Sequence, residues 1–60
     1  MSPPQFVKRE RIVRARKLIC ETSRSLIEIA LEVGYTSPSH FAKVFRRVVG
    51  VTPKEFRSAL

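Results

Sequence analysis

The sequence predicts an all-α fold of three to four short helices in a single domain. Apolar residues recur three and four positions apart, as on one face of a helix, and no stretch shows the alternation of a strand. Ser-x-x-Glu at Ser25 and Thr-x-x-Glu at Thr52 have the form of capping boxes, which mark helix starts. A chain of 60 residues has room for one domain, residues 1–60, with a small core.

The first helix is predicted over residues 3–21, with Ser2 as its N-cap and prolines in its first turn. Its core-facing apolar residues are expected to be Ile12, Ala15, Leu18 and Ile19. Half of all the positive charges lie on the same segment: Lys8, Arg9, Arg11, Arg14, Arg16 and Lys17.

The second helix is expected to begin after Ser25 and to end at Gly34, because glycine adopts the left-handed conformation of a helix end without steric cost. Its predicted core residues are Leu26, Ile29, Ala30 and Val33. Ile27 and Leu31 form a second apolar stripe. We therefore expect neighbouring helices to cover this helix on two sides.

The third helix follows a short turn that contains Tyr35 as an apolar plug. Ser37 is the predicted cap, Pro38 occupies the first helical position and Gly50 ends the helix. The predicted buried face consists of Phe41, Val44, Phe45 and Val48.

A short fourth helix is predicted over residues 53–60. Thr52 caps it, and Glu55 completes the second capping box. Phe56 and Leu60 lie four residues apart, so we expect both to close the core from below.

Residues 25–49 have the organisation of a helix-turn-helix, two short amphipathic helices joined by a tight turn. Within this motif, the outer face of the helix that begins after Ser25 carries Glu28 and Glu32. The outer face of helix 38–49 carries Ser39, Lys43, Arg46 and Arg47, with His40 at its edge. A simple helical hairpin is the alternative, but this asymmetry favours helix 38–49 as a recognition helix in the DNA major groove.

The charge balance points to a polyanionic partner. The chain carries 12 Lys and Arg against 5 Asp and Glu, a net charge of +7 and a pI of about 10.9. Nucleic acid is the commonest partner of so basic a domain, although some soluble domains are basic without one.

Several function classes find no support in the sequence. A single Cys20 and a single histidine provide neither an internal disulfide nor a zinc cluster, and a reducing, cytoplasmic setting fits best. No apolar run approaches the roughly 20 residues of a membrane span. We see no nucleophile–base pair and no suitable carboxylate pair, and therefore expect neither an enzyme nor a bound cofactor or metal.

The candidate DNA-binding residues are Thr36, Ser37, Ser39, His40, Lys43, Arg46, Arg47, Thr52 and Lys54. Ser39 and His40 lie in the first turn of the third helix, where such motifs meet base edges. Lys43, one turn deeper, can donate to guanine O6 or N7. Arg46 and Arg47 come later and suit phosphates. The others lie at the starts of helices, where free amides favour phosphate. Capping and a solvated surface are the alternative roles for these side chains.

A short internal echo suggests a tandem origin. Ser2-Pro-x-x-Phe6 is repeated as Thr52-Pro-x-x-Phe56, and the second copy follows a helix-turn-helix. By analogy the first copy would have followed another one, so the chain is expected to be the second half of a tandem unit. Coincidence is the alternative, because Ser/Thr-Pro helix starts are common.

Three ordered strings carry a resemblance to a known family. They are Arg14-Ala-x-x-Leu-Ile, Ser25-Leu-x-Glu-Ile-Ala-x-x-Val-Gly-Tyr-x-Ser-x-Ser-His-Phe-x-x-Val-Phe-Arg-Arg and Gly50-Val-Thr-Pro-x-x-Phe-Arg. Together they resemble the AraC/XylS family of bacterial transcription regulators over nearly the whole chain. The DNA-binding domain of that family contains two helix-turn-helix units joined by a long helix.

The resemblance implies a homeodomain-like bundle in which residues 3–21 are the connecting helix, 25–49 the second helix-turn-helix and 53–60 a C-terminal helix. The segment 2–6 would then be the tail of a first unit. By the same resemblance, the first unit and any effector-binding domain are expected to lie outside the 60 residues of this sequence.

The same resemblance places base-reading positions at Ser39, Ala42 and Lys43, with Pro38 and His40 beside them. The side chains of Pro38 and Ala42 cannot donate hydrogen bonds, so direct base readout is expected to be modest. The implied function is sequence-specific binding of duplex DNA in transcription regulation.

Two alternatives remain open at this point. A non-specific polyanion or membrane-surface binder could depend on the first helix alone, but its basic residues are spread around the cylinder. A protein-interaction module could instead contact RNA polymerase, and that role is compatible with DNA binding.

Overall fold

Residues 3–60 fold into four α-helices joined by short connections. The computed structural model describes residues 3–60, with side chains from residue 7 onward. Its helices are α1 (Pro3–Glu21), α2 (Leu26–Glu32), α3 (Pro38–Val49) and α4 (Pro53–Ser58), and the described residues contain no strand. The all-α fold predicted from the sequence is confirmed. Ser2, the predicted cap of α1, lies outside the described residues, as do the side chains of its echo segment up to residue 6.

Local sequence signals fix the helix starts. The Ser25 Oγ accepts a hydrogen bond from the Glu28 amide at 3.1 Å, and the Glu28 carboxylate accepts one from the Ser25 amide at 3.1 Å. Thr52 and Glu55 repeat this arrangement at 3.1 and 2.9 Å. Hydrogen bonds donated to each carboxylate, by the cap's backbone amide first and by its hydroxyl second, lower the pKa of both carboxyl groups below their ordinary value of 4.5. Both predicted capping boxes are confirmed.

One core joins the helices. It consists of Ile12, Ala15, Ile19, Ile29, Ala30, Val33, Tyr35, Phe41, Val44 and Phe45. Four aromatic rings run through it from the turn to α4, with successive centroids 5.6, 5.7 and 5.7 Å apart: Tyr35, Phe41, Phe45 and Phe56. The long helix α1 contacts α2, α3 and α4, and so it holds the helix-turn-helix and α4 in one body.

Helix α2 is covered on one side rather than two, which corrects the sequence-based expectation. Ile27 and Leu31 are 58% and 56% exposed. Both α1 and α3 contact α2, whose buried residues are Ile29 and Ala30. The two neighbours therefore meet the same side of α2 and leave the second apolar stripe in solvent.

Two further predicted core residues are exposed. Val48 is 42% exposed because it faces an open groove between α1 and α3, while the next residue, Val49, packs against the core. Leu60 is 69% exposed. Helix α4 ends at Ser58, so Leu60 does not share the helical face of Phe56, which does pack against the core.

No helix among the described residues combines the length and apolar character needed to cross a membrane.

Candidate nucleic-acid interface

The outer face of α3 gathers most of the predicted site residues. The exposed side chains on it are Ser39, His40, Lys43, Arg46 and Arg47. The opposite face of the same helix is buried in the core through Phe41, Val44 and Phe45. Because a packed stripe fixes the rotation of α3 about its axis, the five polar side chains are held on the solvent side.

The start of α3 is set by its cap. Ser37 has an extended backbone, and its Oγ accepts a hydrogen bond from the His40 amide at 3.3 Å. Pro38 occupies the first helical position, and Thr36 precedes the cap in an exposed bend. Other amides of this first turn have no partner within the helix and point outward along its axis. Thr36 and Ser37 are thus placed at an end of α3 that carries partial positive charge.

The turn before α3 is held by an aromatic contact that the sequence did not reveal. The Tyr35 ring is buried, and the His40 ring lies edge-on to it with centroids 5.5 Å apart. On another side, the Arg11 guanidinium lies 5.4 Å from the Tyr35 centroid. Arg11 is half-buried, consistent with its place beside Ile12 in the apolar period of α1. Helix α1 therefore supports the turn directly and, through Tyr35, the position of His40.

The remaining site residues lie at the other end of α3. Gly50 takes a φ of +102° and ends the helix, and the chain reaches the α4 cap within two more residues. There Thr52 is half-buried and Lys54 is exposed. The hydrogen bonds from Thr52 are the main cause of the lowered pKa of Glu55, and the positive charge of Arg46 at the end of α3 adds to them.

The acidic residues of α2 are engaged away from this face. Glu28 belongs to the capping box, and Glu32 pairs with Arg24 at 2.9 Å and Arg14 at 3.7 Å. Exposed pairs of this kind contribute little stability. These contacts matter more for where charge is exposed. The carboxylates of α2 are paired within α2 and its neighbours, and the described ion pairs leave the cations of α3 free to contact a ligand.

A groove between α1 and α3 adds basic residues to those predicted. This α1–α3 groove has a volume of about 920 Å³ and is lined by Lys8, Arg9, His40, Lys43, Val44, Arg46, Arg47 and Val48. Lys8 and Arg9 were not among the candidate residues. The sequence shows them as part of the general charge of α1, and only packing shows which of those charges lie beside α3.

The chain matches known proteins along nearly its whole length. A family model described as a helix-turn-helix domain matches residues 1–59. The chain is 41% identical over 56 residues to the HTH-type transcriptional regulator ArgR of Pseudomonas aeruginosa, covering 93% of this chain and 17% of that protein. It is 35% identical over 57 residues to the HTH-type transcriptional activator RhaS of Escherichia fergusonii, covering 95% and 20% respectively.

A third relative, an uncharacterized HTH-type transcriptional regulator of Haemophilus influenzae, is 38% identical over 60 residues, covering 100% of this chain and 20% of that protein. The chain thus spans about a fifth of the length of these curated relatives. No solved structure shows a significant match.

Proposed function

The chain belongs to the AraC/XylS family of helix-turn-helix transcription regulators, and we propose that it binds duplex DNA sequence-specifically with α3 in the major groove. The resemblance found in the sequence is confirmed by the family match. Residues 3–21 would be the connecting helix, 25–49 the second helix-turn-helix and 53–60 the C-terminal segment of the family's DNA-binding domain.

The observation that carries the proposal is the two-sided character of α3. One side is anchored in the core, and the other presents polar and basic side chains with no acidic residue anywhere on the helix. Its 12 residues make a rod about 18 Å long. A major groove about 12 Å wide admits such a rod.

The proposed contacts divide into base readout and phosphate binding. Ser39 and Lys43 face base edges, with His40 beside them, and Lys43 donates to guanine O6 or N7. Arg46 and Arg47 hold phosphates near the end of the helix. The remaining phosphate donors lie at the helix starts: Thr36, Ser37, Thr52 and Lys54.

The setting of this activity follows from the same proposal. A bacterial DNA-binding regulator acts in the cytoplasm, where the chromosome lies. Contact with RNA polymerase is compatible with the exposed surfaces of α2 and α4 and stays a prediction. The proposal includes no catalytic step and no cofactor.

The experiment compares Lys43→Gln with Lys17→Gln, because both remove one exposed lysine charge, on α3 and on α1 respectively. A preferred duplex is first selected from a randomised library with the unaltered chain. Affinity is then measured for that duplex and for a random one. We expect Lys43→Gln to reduce the preference between them by about 1–3 kcal/mol, the value of one good base contact.

Lys17→Gln should leave that preference unchanged. A Lys43→Gln variant that still binds and keeps the full preference would show that α3 does not read bases through Lys43. Failure of the unaltered chain to bind any duplex would overturn the proposed function itself.

A further inference from the structure

We propose that Lys8 and Arg9 of α1 form a second DNA contact, in which the α1–α3 groove binds the sugar–phosphate strand that borders the major groove occupied by α3. The inference rests on the proposed function and extends it to two particular residues of α1, outside the helix-turn-helix itself. The occupant is the backbone of duplex DNA, and the contact carries no base information.

The charge of the groove is the first reason. Its described lining contains five lysine and arginine side chains and one histidine, and no carboxylate: Lys8, Arg9, Lys43, Arg46, Arg47 and His40. The ion pairs among the described residues involve Glu32 with Arg14 and Arg24, so none of these five cations is neutralised by one. Like charges facing one another across a groove repel, and an anion placed between them removes that cost.

The second reason is the position of the groove beside the reading face. Lys43, Arg46 and Arg47 belong both to the outer face of α3 and to the groove. An α-helix with its side chains is about 10–12 Å across and nearly fills a major groove about 12 Å wide. The strands that border the major groove must therefore pass beside α3. The N-terminal part of α1 supplies the wall on one such side.

The floor of the groove is the third reason. Val44 is nearly buried there, while Val48 is 42% exposed although it stands on the apolar period of α3. A sugar–phosphate strand alternates charged phosphates with less polar deoxyribose rings. Cationic walls with a valine floor match both parts, and the exposed position of Val48 is then explained by contact with deoxyribose.

Lys8→Gln tests the inference against Lys17→Gln, which removes the same charge from the opposite side of the same helix. The two lysines lie nine residues apart, about two and a half turns at 3.6 residues per turn, and Lys17 does not line the groove. Affinity is measured for a random duplex and for the selected duplex at several salt concentrations. Helicity and thermal midpoint confirm that each variant is folded.

We expect Lys8→Gln to weaken binding to both duplexes by the same factor. The slope of log affinity against log salt is negative, and we expect its magnitude to fall by about 0.9, the value of one phosphate contact. The double variant Lys8→Gln/Arg9→Gln should reduce the magnitude of the slope by about twice that amount. Lys17→Gln should leave the slope unchanged, and all three variants should keep the sequence preference.

Equal effects of Lys8→Gln and Lys17→Gln would overturn the inference, because they would reflect net charge rather than a placed contact. If Lys43→Gln still reduces sequence preference in that case, the proposed function stands without the groove. A change in sequence preference on Lys8→Gln would also contradict the inference, since a backbone contact does not distinguish bases.

Discussion

At the scale of single residues, two glycines with the same backbone conformation differ in their surroundings. Gly34 and Gly50 have φ values of +106° and +102°. A Cβ added at Gly34 would lie 3.2 Å from the Cζ and Nε atoms of Arg11, whereas one added at Gly50 would meet nothing within 4 Å. The pair therefore separates the cost of left-handed backbone from the cost of disturbing the turn.

We expect Gly50→Ala to lower the free energy of unfolding by about 1–2 kcal/mol, the cost of a left-handed conformation for an L-residue. Gly34→Ala should lower it further, by up to about 0.5–1 kcal/mol, because the Arg11 guanidinium must shift to make room and its contact with the Tyr35 ring weakens. Urea denaturation of the two variants gives the difference. In an Arg11→Ala background the two substitutions should cost the same; a persisting difference would assign it to another contact.

At the scale of elements, the sequence predicted what depends on local spacing. Capping boxes at Ser25 and Thr52 lie beside the backbone groups they satisfy, so the starts of α2 and α4 are determined within four residues. The outer face of α3 was predictable for a similar reason, because a strong period of 3.6 divides a helix into two sides. Contact of that face with DNA remains a prediction.

The residues whose positions the sequence did not predict are those that depend on packing between distant elements. An apolar stripe shows that a helix side can be buried, but the number and position of its neighbours decide whether it is. Ile27 and Leu31 are exposed because α1 and α3 meet the same side of α2. Lys8 and Arg9 line a groove with residues more than 30 positions later, and no local spacing indicates that proximity.

The different exposure of two valines on α3 gives a prediction about the packing of this helix. Val44 and Val48 lie one turn apart on the apolar side, yet Val44 is 9% exposed and Val48 is 42% exposed. We expect Val44→Ala to lower the free energy of unfolding by about 1.5 kcal/mol, since two buried methyl-sized groups are lost at about 0.8 kcal/mol each. Val48→Ala should cost less than about 0.5 kcal/mol. Equal costs in urea denaturation would mean that α1 covers Val48 in solution.

At the scale of the whole molecule, one helix serves both stability and recognition. Phe41, Val44 and Phe45 supply a large part of a small core, and the same helix carries the proposed reading face. Repulsion among the basic side chains on one surface therefore lowers the free energy of unfolding of a domain that, at this size, is only marginally stable. The same positive charge that favours DNA binding opposes folding, so both processes depend on how strongly salt screens it.

Salt should consequently affect folding and DNA binding in opposite directions. The chain carries a net charge of +7 and extends 35 × 20 × 20 Å. The Debye length is about 30 Å at 0.01 M salt, so the positive charges repel across the whole molecule, but only about 8 Å at 0.15 M. Screening removes this repulsion, and we expect the thermal midpoint to rise as sodium chloride increases over that range.

Affinity for a random duplex should fall steeply over the same range, because each counterion released from the DNA gains less entropy as the salt concentration of the solution rises. The ion pairs of Glu32 weaken with salt, but exposed pairs contribute at most about 1 kcal/mol each and do not reverse the trend. Thermal melts and binding titrations in the same buffers test both signs. A midpoint that falls with salt would show that attractive pairs, rather than the excess positive charge, dominate the electrostatics of the folded chain.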